Sequence, residues 1–375
     1  MTAGGYGAAA KRTGSGPLLE VEDLHTGFRT ALGTVRAVDG VTFQLHRGST
    51  LGIVGESGSG KTILSRSIMG LLPRAGTERS GTVRFEGEVI SNRSPRQMQS
   101  LWGTEMAMIF QDPMTSLNPV VKIGRQITEG LRHHLGMSRT TARETAERLL
   151  VEVGIPEPHR RLDEYPHQLS GGMRQRVTIA IALACGPTLL FADEPTTALD
   201  VTVQAQILDL LEAEQRDRNM SMILVTHDLG VVAGRTDEIA VMYGGRIVEK
   251  APTHVLFSRM RMPYTEALLE SIPRIEQPSH TRLALIGGRP PNLIHLPKGC
   301  RFSPRCPYAR ERCHEEEPPL TEAETPGHTY ACWYPVGSPE YLEIKERRAA
   351  RGVDVDPIAV VAADEATEDA AEVVR

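Results

Sequence analysis

The chain has 375 residues, of which 40% are hydrophobic and 24% are charged, and its formal net charge is −5. This length is typical of two or three domains, and the net charge does not indicate a strongly basic surface of the kind that binds nucleic acid. No stretch reaches the roughly 20 apolar residues that a membrane-spanning helix requires. We therefore expect a globular, cytoplasmic chain that can reach a membrane only through partner proteins.

The first part of the chain predicts a flexible tail followed by an α/β domain. Residues 1–17 are rich in Gly, Ala and Ser, a composition typical of flexible segments. From residue 18 to residue 250, short Val/Ile/Leu runs alternate with longer amphipathic segments, which predicts a mostly parallel sheet covered by helices. Residues 112–175 contain no convincing strand and predict a helical insertion. The clearest predicted strands are Leu51–Val54, Leu189–Ala192 and Met222–Thr226.

A glycine-rich motif follows the first of these strands. Residues 55–62 read GESGSGKT, which matches the pattern G-x-x-x-x-G-K-[ST] at every position, and a predicted helix, Ile63–Leu72, comes next. In this arrangement backbone N–H groups and the helix N-terminus attract phosphate oxygens. We predict that Lys61 reaches the β- and γ-phosphates of a nucleotide and that Thr62 is a ligand of Mg²⁺. The predicted phosphate-binding residues are Gly55, Glu56, Ser57, Gly58, Ser59, Gly60, Lys61 and Thr62.

An acidic pair, Asp193 and Glu194, follows the predicted strand Leu189–Ala192. Alone, such a pair is more typical of a turn or a helix cap. Beside a phosphate-binding loop it has the form of a Walker B motif, in which Asp193 holds Mg²⁺ and Glu194 polarises the attacking water. The two motifs together predict a nucleotide site that contains a general base.

A second candidate anion site lies at residues 169–175, LSGGMRQ, just before a predicted apolar helix. Ser170, Gly171 and Gly172 expose N–H groups there, although an ordinary capped helix would begin in the same way. At this motif the sequence resembles the ATP-binding cassette (ABC) ATPases, whose signature is LSGGQ, with Met173 in place of the glutamine. The resemblance implies a P-loop ABC ATPase fold: a RecA-like parallel sheet, an antiparallel β part and a helical insertion.

Three further residues match ABC motifs in the family's order and spacing. Gln111 matches the Q-loop, Asp200 the D-loop, and His227 the switch histidine. The resemblance implies that Gln111 contacts Mg²⁺, that His227 binds the γ-phosphate, that both act in catalysis, and that Asp200 lies at the nucleotide. It also implies that two cassettes meet head to tail, so that each ATP lies between the P-loop of one and the signature of the other.

Phe28 is the candidate for the aromatic residue that stacks on adenine in this family. Its segment, residues 25–38, is longer than the usual loop. Packing in the hydrophobic core is therefore the alternative role for this side chain.

Several motifs are similar in detail to those of the ATPase subunits of dipeptide and oligopeptide importers, relatives of which import nickel. A methionine, Met262, stands where that subfamily commonly has histidine. The resemblance implies an ATP-hydrolysing subunit at the cytoplasmic face of the membrane, with residues 113–119 as the candidate contact with permeases. The similar segments are residues 111–119, 165–176, 193–204, 263–265 and 296–300.

The resemblance also implies the partners: two membrane permease subunits, a second ABC ATPase subunit that is identical or homologous, and, indirectly, an extracytoplasmic substrate-binding protein. No nucleic acid is expected. Import of nickel or another small solute, and a soluble regulator without a permease, remain the alternatives. Cassette proteins of DNA repair and of ribosomes are disfavoured, because only 107 residues separate Lys61 from Leu169 and the chain has one cassette.

Residues 251–336 form a proline-rich, loop-rich extension with four cysteines in the spacing C-x5-C-x6-C-x18-C. A cytoplasmic location disfavours disulfides, so the cysteines predict ligands of zinc or of an iron–sulfur cluster, or free thiols. The tight spacing of zinc sites is absent, and the resemblance to peptide importers implies a [4Fe–4S] cluster, with Zn²⁺ as the alternative. The cysteines are Cys300, Cys306, Cys313 and Cys332, and the arginines that could offset a cluster's charge or form a solvated basic face are Arg301, Arg305, Arg310 and Arg312.

The end of the chain, residues 337–375, is predicted to be an acidic, disordered tail. From Asp354 onward seven acidic residues face one basic residue, Arg375, among alanines and valines. Such a composition buries too little apolar surface to fold by itself.

Overall fold

The computed structural model describes residues 16–112, 116–197, 199–272 and 286–350. The predicted flexible tail, residues 1–17, lies outside the described residues except for its last two. The strands are β1 (Leu19–Thr30), β2 (Gly33–Leu45), β3 (Thr50–Val54), β4 (Thr77–Phe85), β5 (Glu88–Val89), β6 (Met106–Ile109), β7 (Leu189–Asp193), β8 (Ser221–Thr226), β9 (Glu238–Tyr243), β10 (Arg246–Pro252), β11 (Thr321–Glu322) and β12 (Thr329–Tyr330).

The helices in the same part of the chain are α1 (Lys61–Ile68), α2 (Pro95–Met98), α3 (Ile123–His134), α4 (Arg139–Glu152), α5 (Pro158–Arg161), α6 (Gly171–Leu183), α7 (Val201–Arg218), α8 (Leu229–Val232), α9 (Thr253–Arg259), α10 (Pro263–Glu270), α11 (Glu311–Glu315) and α12 (Pro339–Ala350), with a 3₁₀ turn at Pro166–Gln168. None of these helices has the length and the apolar surface that crossing a membrane would require.

The central sheet has eight strands in the order β11-β12-β10-β9-β3-β8-β7-β6. β3 pairs in parallel with β8 and β9, and β7 pairs in parallel with β6 and β8. The three strands predicted from apolar runs are confirmed as β3, β7 and β8, each one residue longer than predicted. Because parallel strands end at the same edge, the residues that follow β3, β6, β7 and β8 are brought together there.

A second, four-stranded antiparallel sheet has the order β2-β1-β4-β5. Its buried side chains, such as Val21, Val41 and Val83, share one hydrophobic cluster with Ile53 of β3 and Leu64 of α1. This sheet is the antiparallel β part that the resemblance to ABC ATPases implied, and it is fixed to the main sheet through α1.

Between β6 and β7 the described residues form helices and no strand. α3 and α4 pack against each other and against α6, which also contacts β6. Ser138 begins α4, because its hydroxyl accepts a hydrogen bond from the N–H of Thr141 at 3.1 Å. The helical segment is therefore attached to the sheet through α6, the helix that begins within the LSGGM motif.

The helix after the P-loop is shorter than the sequence predicted. It spans Lys61–Ile68 rather than Ile63–Leu72. Gly70 has φ = 67°, and the N–H of Leu71 bonds to the carbonyl of Arg66 at 2.9 Å. This hydrogen bond across a left-handed glycine ends the helix, although the apolar pattern of the following residues predicts that it continues.

The C-terminal extension is continuous with the central sheet. β12 pairs with β10, where Glu249 lies opposite Tyr330. Phe302 of the extension packs against Tyr243 and Tyr264 with ring centroids 5.3 Å away in each case, and all three rings belong to the main core cluster. The described part of the four-cysteine region therefore shares the core of the cassette.

The prediction of a disordered tail from residue 337 is wrong for its first part, because residues Pro339–Ala350 form a helix. Tyr341 is 1% exposed, its hydroxyl donates to the carboxylate of Glu266 at 2.6 Å, and its ring lies 4.2 Å from that of Tyr308. One buried aromatic side chain anchors this helix, which an average over composition does not reveal. Residues 351–375 lie outside the described residues.

Candidate nucleotide-binding site

The P-loop is held against its surroundings so closely that two of its residues must be glycine. A Cβ atom on Gly55 would lie 2.2 Å from the carbonyl oxygen of Met242, and one on Gly60 would lie 2.1 Å from that of Ala37. Gly60 also has φ = 104°, which other residues rarely adopt. The loop thus passes from β3 to α1 with its backbone pressed between neighbouring strands.

Lys61 points back into the P-loop. Its ammonium group donates to the carbonyl oxygens of Gly55 at 2.7 Å and Glu56 at 3.0 Å. Burial lowers the pKa of Lys61, although the charges of Glu194, Asp193 and Glu56 raise it in part. The ammonium is therefore a nearly buried cation within the loop, at the position where an ATP phosphate would be bound.

The two predicted Mg²⁺ ligands lie side by side. The hydroxyl of Thr62 donates to Oδ1 of Asp193 at 3.0 Å. Asp193 is fully buried, and its Oδ2 has no hydrogen-bond partner among the described residues. Burial raises the pKa of Asp193. A buried carboxylate with an unpartnered oxygen beside a hydroxyl fits a hard divalent cation, which prefers oxygen ligands.

Asp193→Asn is expected to raise the melting temperature of the nucleotide-free protein by about 2–4 °C while reducing its Mg²⁺-dependent ATP hydrolysis. Because the pKa of Asp193 is higher in the folded than in the unfolded protein, the free energy of unfolding falls as the pH rises through the folded-state pKa and the carboxyl ionises. At neutral pH, replacing the carboxylate by a neutral amide therefore stabilises the fold. The amide can still accept from Thr62. Differential scanning calorimetry with and without Mg²⁺ measures the effect, and a lower melting temperature without Mg²⁺ would contradict it.

Glu194, Gln111 and His227 meet on one carboxylate oxygen. Oε2 of Glu194 lies 3.0 Å from Nε2 of Gln111, 3.3 Å from Nδ1 of His227 and 2.8 Å from the hydroxyl of Thr197. Glu194 also has φ = 46°, a strained conformation for a residue with a side chain, of the kind found at functional sites. Residues that follow β6, β7 and β8 are thus joined at the edge where parallel strands end.

The signature motif begins helix α6. Ser170 caps α6 by accepting from the N–H of Met173 at 3.3 Å. Among the described residues, no hydrogen bond or ion pair joins Ser170, Gly171 or Gly172 to the P-loop. The two candidate phosphate sites are therefore not joined within one chain.

Asp200 occupies the start of the neighbouring helix. Its carboxylate accepts from the N–H of Val203 at 3.0 Å and so caps α7. A Cβ atom on Gly172 would lie 3.1 Å from Cγ1 of Val203, so the signature lies against the first turn of the helix that Asp200 caps. Ala198 of the predicted D-loop, residues 198–200, lies outside the described residues, as do residues 113–115 of the predicted permease contact, residues 113–119.

Phe28 lies in β1 opposite Val35 and Thr77. It is half-buried and belongs to neither hydrophobic cluster. This placement leaves part of the ring accessible, which favours the stacking role over core packing.

Two contacts of the P-loop were missed by sequence reasoning, and both come from the C-terminal extension. The backbone N–H of Glu56 donates to the hydroxyl of Tyr264 at 2.9 Å, and the carboxylate of Glu56 is paired with Arg305. In the sequence, Pro263-Tyr264 indicates only the resemblance to peptide-importer ATPases. No local pattern indicates that either side chain returns to the P-loop from more than 200 residues away.

The four cysteines line one small cavity, together with Phe302, Tyr308 and neighbouring side chains. None of these four cysteines forms a disulfide. Burial raises the pKa of Cys300 to about 11 and that of Cys332 to about 12, and it raises the pKa of Cys306 well above its usual value. Within the described ranges, no three Cys, His, Asp or Glu side chains lie close enough to hold a single metal ion.

The arginines near the cysteines neither offset the charge of a cluster as their main role nor form a solvated basic face. Each makes an ion pair with a carboxylate. The pairs are Arg301 with Asp39 and Glu317, Arg305 with Glu56, Arg310 with Glu343, and Arg312 with Glu316. The basic charge of this segment is therefore used to fix the extension to the cassette and to itself.

Comparison with known proteins agrees with these motifs. The family described as ABC transporter matches residues 38–197, and the oligopeptide/dipeptide transporter C-terminal region matches residues 248–313. The chain is 50% identical to the oligopeptide transport ATP-binding protein OppD of Salmonella typhimurium over 319 residues, which cover 85% of this chain and 94% of that protein. It is 48% identical to the dipeptide transport ATP-binding protein DppD of Escherichia coli, with 85% and 97% covered.

Solved structures show the same fold. The dimeric structure of MJ0796, a bacterial ABC transporter cassette, matches with a TM-score of 0.57 and 25% identity, covering 63% of this chain and 98% of that one. The cbiO1 protein of Clostridium perfringens, part of an ABC transporter complex, matches with a TM-score of 0.55 and 27% identity, covering 65% and 91%.

Proposed function

The chain belongs to the ABC transporter ATPases that carry the oligopeptide/dipeptide transporter C-terminal region, and from this we propose that it is the ATP-hydrolysing motor of an importer of dipeptides or oligopeptides. The observation that carries the proposal is the likeness to OppD and DppD, which extends over nearly their whole length and includes the extension that distinguishes them from cassettes in general. No observation favours nickel or another solute as the cargo.

We assign the hydrolytic roles to residues that the structure places together. When ATP enters, Lys61 would exchange the carbonyls of Gly55 and Glu56 for phosphate oxygens. Thr62 and Asp193 would hold Mg²⁺, which neutralises phosphate charge when bound, and Gln111 would approach the same ion. These residues fix the phosphates before the reaction, which is how most phosphoryl-transfer enzymes lower the barrier.

Glu194 is the proposed general base. Its Oε2 is already occupied by hydrogen-bond donors from Gln111, His227 and Thr197, which leaves Oε1 to accept the proton of the attacking water. His227, whose side chain is 55% exposed, would turn from Glu194 to the γ-phosphate. Hydrolysis of ATP would remove the γ-phosphate and so break the contacts that it makes across the site.

A complete site would require a second cassette. Ser170, Gly171 and Gly172 would bind the γ-phosphate of ATP held by the partner's P-loop, with Asp200 beside them and Phe28 on the adenine of its own nucleotide. ATP would close the two cassettes and hydrolysis would let them part. Gln111 and the segment 113–119 would pass this motion to the permeases.

The proposed partners are two permease subunits, a second ABC ATPase subunit, and an extracytoplasmic binding protein that acts through the permeases. The chain would then lie at the cytoplasmic face of the membrane. Purification of the tagged chain from detergent-solubilised membranes tests this arrangement. Recovery together with polytopic permeases supports it, and recovery without any polytopic partner would instead favour a soluble regulator.

We further propose that the four cysteines hold a [4Fe–4S] cluster. The four thiols share one cavity, which places in one region the number of cysteine ligands that such a cluster takes. Such a cluster would tie the segments of the extension together, and it has no step in ATP hydrolysis.

Anaerobically purified protein is expected to contain iron and acid-labile sulfide in equal amounts. Replacement of Cys306, whose burial disfavours a free thiolate, by serine should remove most of both. Cys185 lies elsewhere, beside Gly130, so Cys185→Ser is the matched control and should keep them. Zinc without iron in the wild-type protein would overturn the cluster.

A further inference from the structure

Arg305 reaches from the cysteine segment to the P-loop. Its guanidinium forms a bidentate ion pair with the carboxylate of Glu56, in which Nη1 donates to Oε2 at 2.6 Å and Nη2 donates to Oε1 at 2.9 Å. It also donates to the hydroxyl of Tyr243 at 3.2 Å and to the carbonyls of Ile286 at 3.0 Å and Gly287 at 2.7 Å. These bonds use all five of its N–H groups, and the side chain is only 4% exposed, so the guanidinium has one fixed orientation.

Glu56 makes four contacts. Arg305 binds its carboxylate, the hydroxyl of Tyr264 accepts from its N–H, and both Lys61 and the N–H of Ser59 donate to its carbonyl. The bond from Lys61 is the one that ATP must break, because that ammonium is the group that binds phosphate. After this exchange, the two contacts from the C-terminal extension remain, and with the bond from Ser59 within the loop they keep Glu56 in place.

Glu56 also brings a negative charge into a site for a polyanion. Its carboxylate is close enough to Lys61 to raise the pKa of that lysine. If it lacked a partner, the carboxylate would repel the phosphates and compete with them for Lys61. The paired guanidinium offsets this charge in a bidentate geometry that a lysine could not reproduce.

We infer that Arg305 is a positioning residue for ATP: by fixing and neutralising Glu56, it sets the affinity of the P-loop for the nucleotide. The inference rests on ATP binding at this loop and is independent of which solute is transported. Arg305 precedes Cys306, and the N–H groups of both bond to the carbonyl of Phe302 at 2.9 Å. The four-cysteine segment therefore has a direct structural connection to the ATP site.

The test compares three variants of the full-length protein in their binding of the non-hydrolysable analogue AMP-PNP with Mg²⁺. Arg305→Gln is expected to weaken binding about tenfold, because it leaves the Glu56 carboxylate unpaired beside the phosphates. Glu56→Gln is expected to tighten it at least about twofold, because it leaves the guanidinium unpaired there. The double variant restores the charge balance and is expected to bind within about twofold of the wild type.

Opposite signs of the two single substitutions distinguish positioning from a merely structural role, which would weaken binding in both. Arg312, on the same segment, is half-exposed and pairs locally with Glu316, so Arg312→Gln is the matched control and should bind as the wild type does. Melting temperature and iron content are measured for each variant. Equal weakening by Arg305→Gln and Glu56→Gln, without recovery in the double variant, would overturn the inference. If Arg305→Gln does not fold, Arg305→Lys replaces it, with weakened binding expected and unchanged binding contradicting the inference.

Discussion

A chain carrying Glu194→Gln is expected to bind ATP as the wild type does and to lose at least about 100-fold of its hydrolysis rate. Glutamine has the same shape, and its amide oxygen can still accept the bonds that Gln111 and Thr197 donate to Oε2. It cannot accept a proton from water. The change therefore removes the general base while leaving the P-loop and its lysine intact.

ATP binding and phosphate release, measured on the same preparation in its assembled complex, separate these effects. Glu144, exposed on α4, provides a matched control, since Glu144→Gln makes the same chemical change away from the site and should hydrolyse ATP normally. Near-normal hydrolysis by Glu194→Gln would remove Glu194 as the base. Loss of ATP binding in this variant would mean that its role is to hold the nucleotide.

Gly171→Asp is expected to reduce the rate of ATP hydrolysis in the assembled importer by about 100-fold or more, while the isolated chain still binds ATP. The new carboxylate would face the phosphates that the neighbouring cassette presents to the signature. The substitution should not damage the fold, because an acidic residue is favourable in the first turn of a helix. Hydrolysis in the assembled importer can be lost while ATP binding by the isolated chain is kept, because the signature is not joined to the P-loop within one chain.

Gly171→Ala is the control for this experiment. Within the part of the chain that the structure describes, a Cβ atom at residue 171 would meet Leu199 at 3.9 Å, which is an ordinary contact. The alanine variant should therefore retain most of the activity. If Gly171→Asp instead weakened ATP binding by the isolated chain, the signature would belong to the nucleotide site of its own chain, and the head-to-tail arrangement would be wrong.

The nucleotide site could be predicted from the sequence because its motifs are local and its assembly follows a general rule. Each of Gly55, Asp193 and His227 comes directly after a short apolar run, and parallel pairing of those runs brings their ends together. The strands were therefore found to within one residue. The pairing of Gln111 with Glu194 follows from the same geometry, although its distance does not.

The parts that sequence reasoning missed depend on single long-range contacts. Arg305 and Glu56 are 249 residues apart, and neither lies in a pattern that indicates the other. The helix at Pro339–Ala350 depends on one tyrosine that docks beside Tyr308 and Glu266. Only the folded chain brings such pairs together, because hydrophobic periodicity and turn residues report on neighbours in sequence.

The central claim, that this chain is the ATP-driven motor of a peptide importer, is tested most directly by uptake of a labelled dipeptide or oligopeptide. Cells that lack the chain would be compared with the same cells carrying the wild type or the Glu194→Gln variant. We predict uptake with the wild type, and loss of that uptake with the variant although it reaches the membrane in equal amount. Peptide uptake at the wild-type level in cells that lack the chain, or in those with Glu194→Gln, would contradict the account.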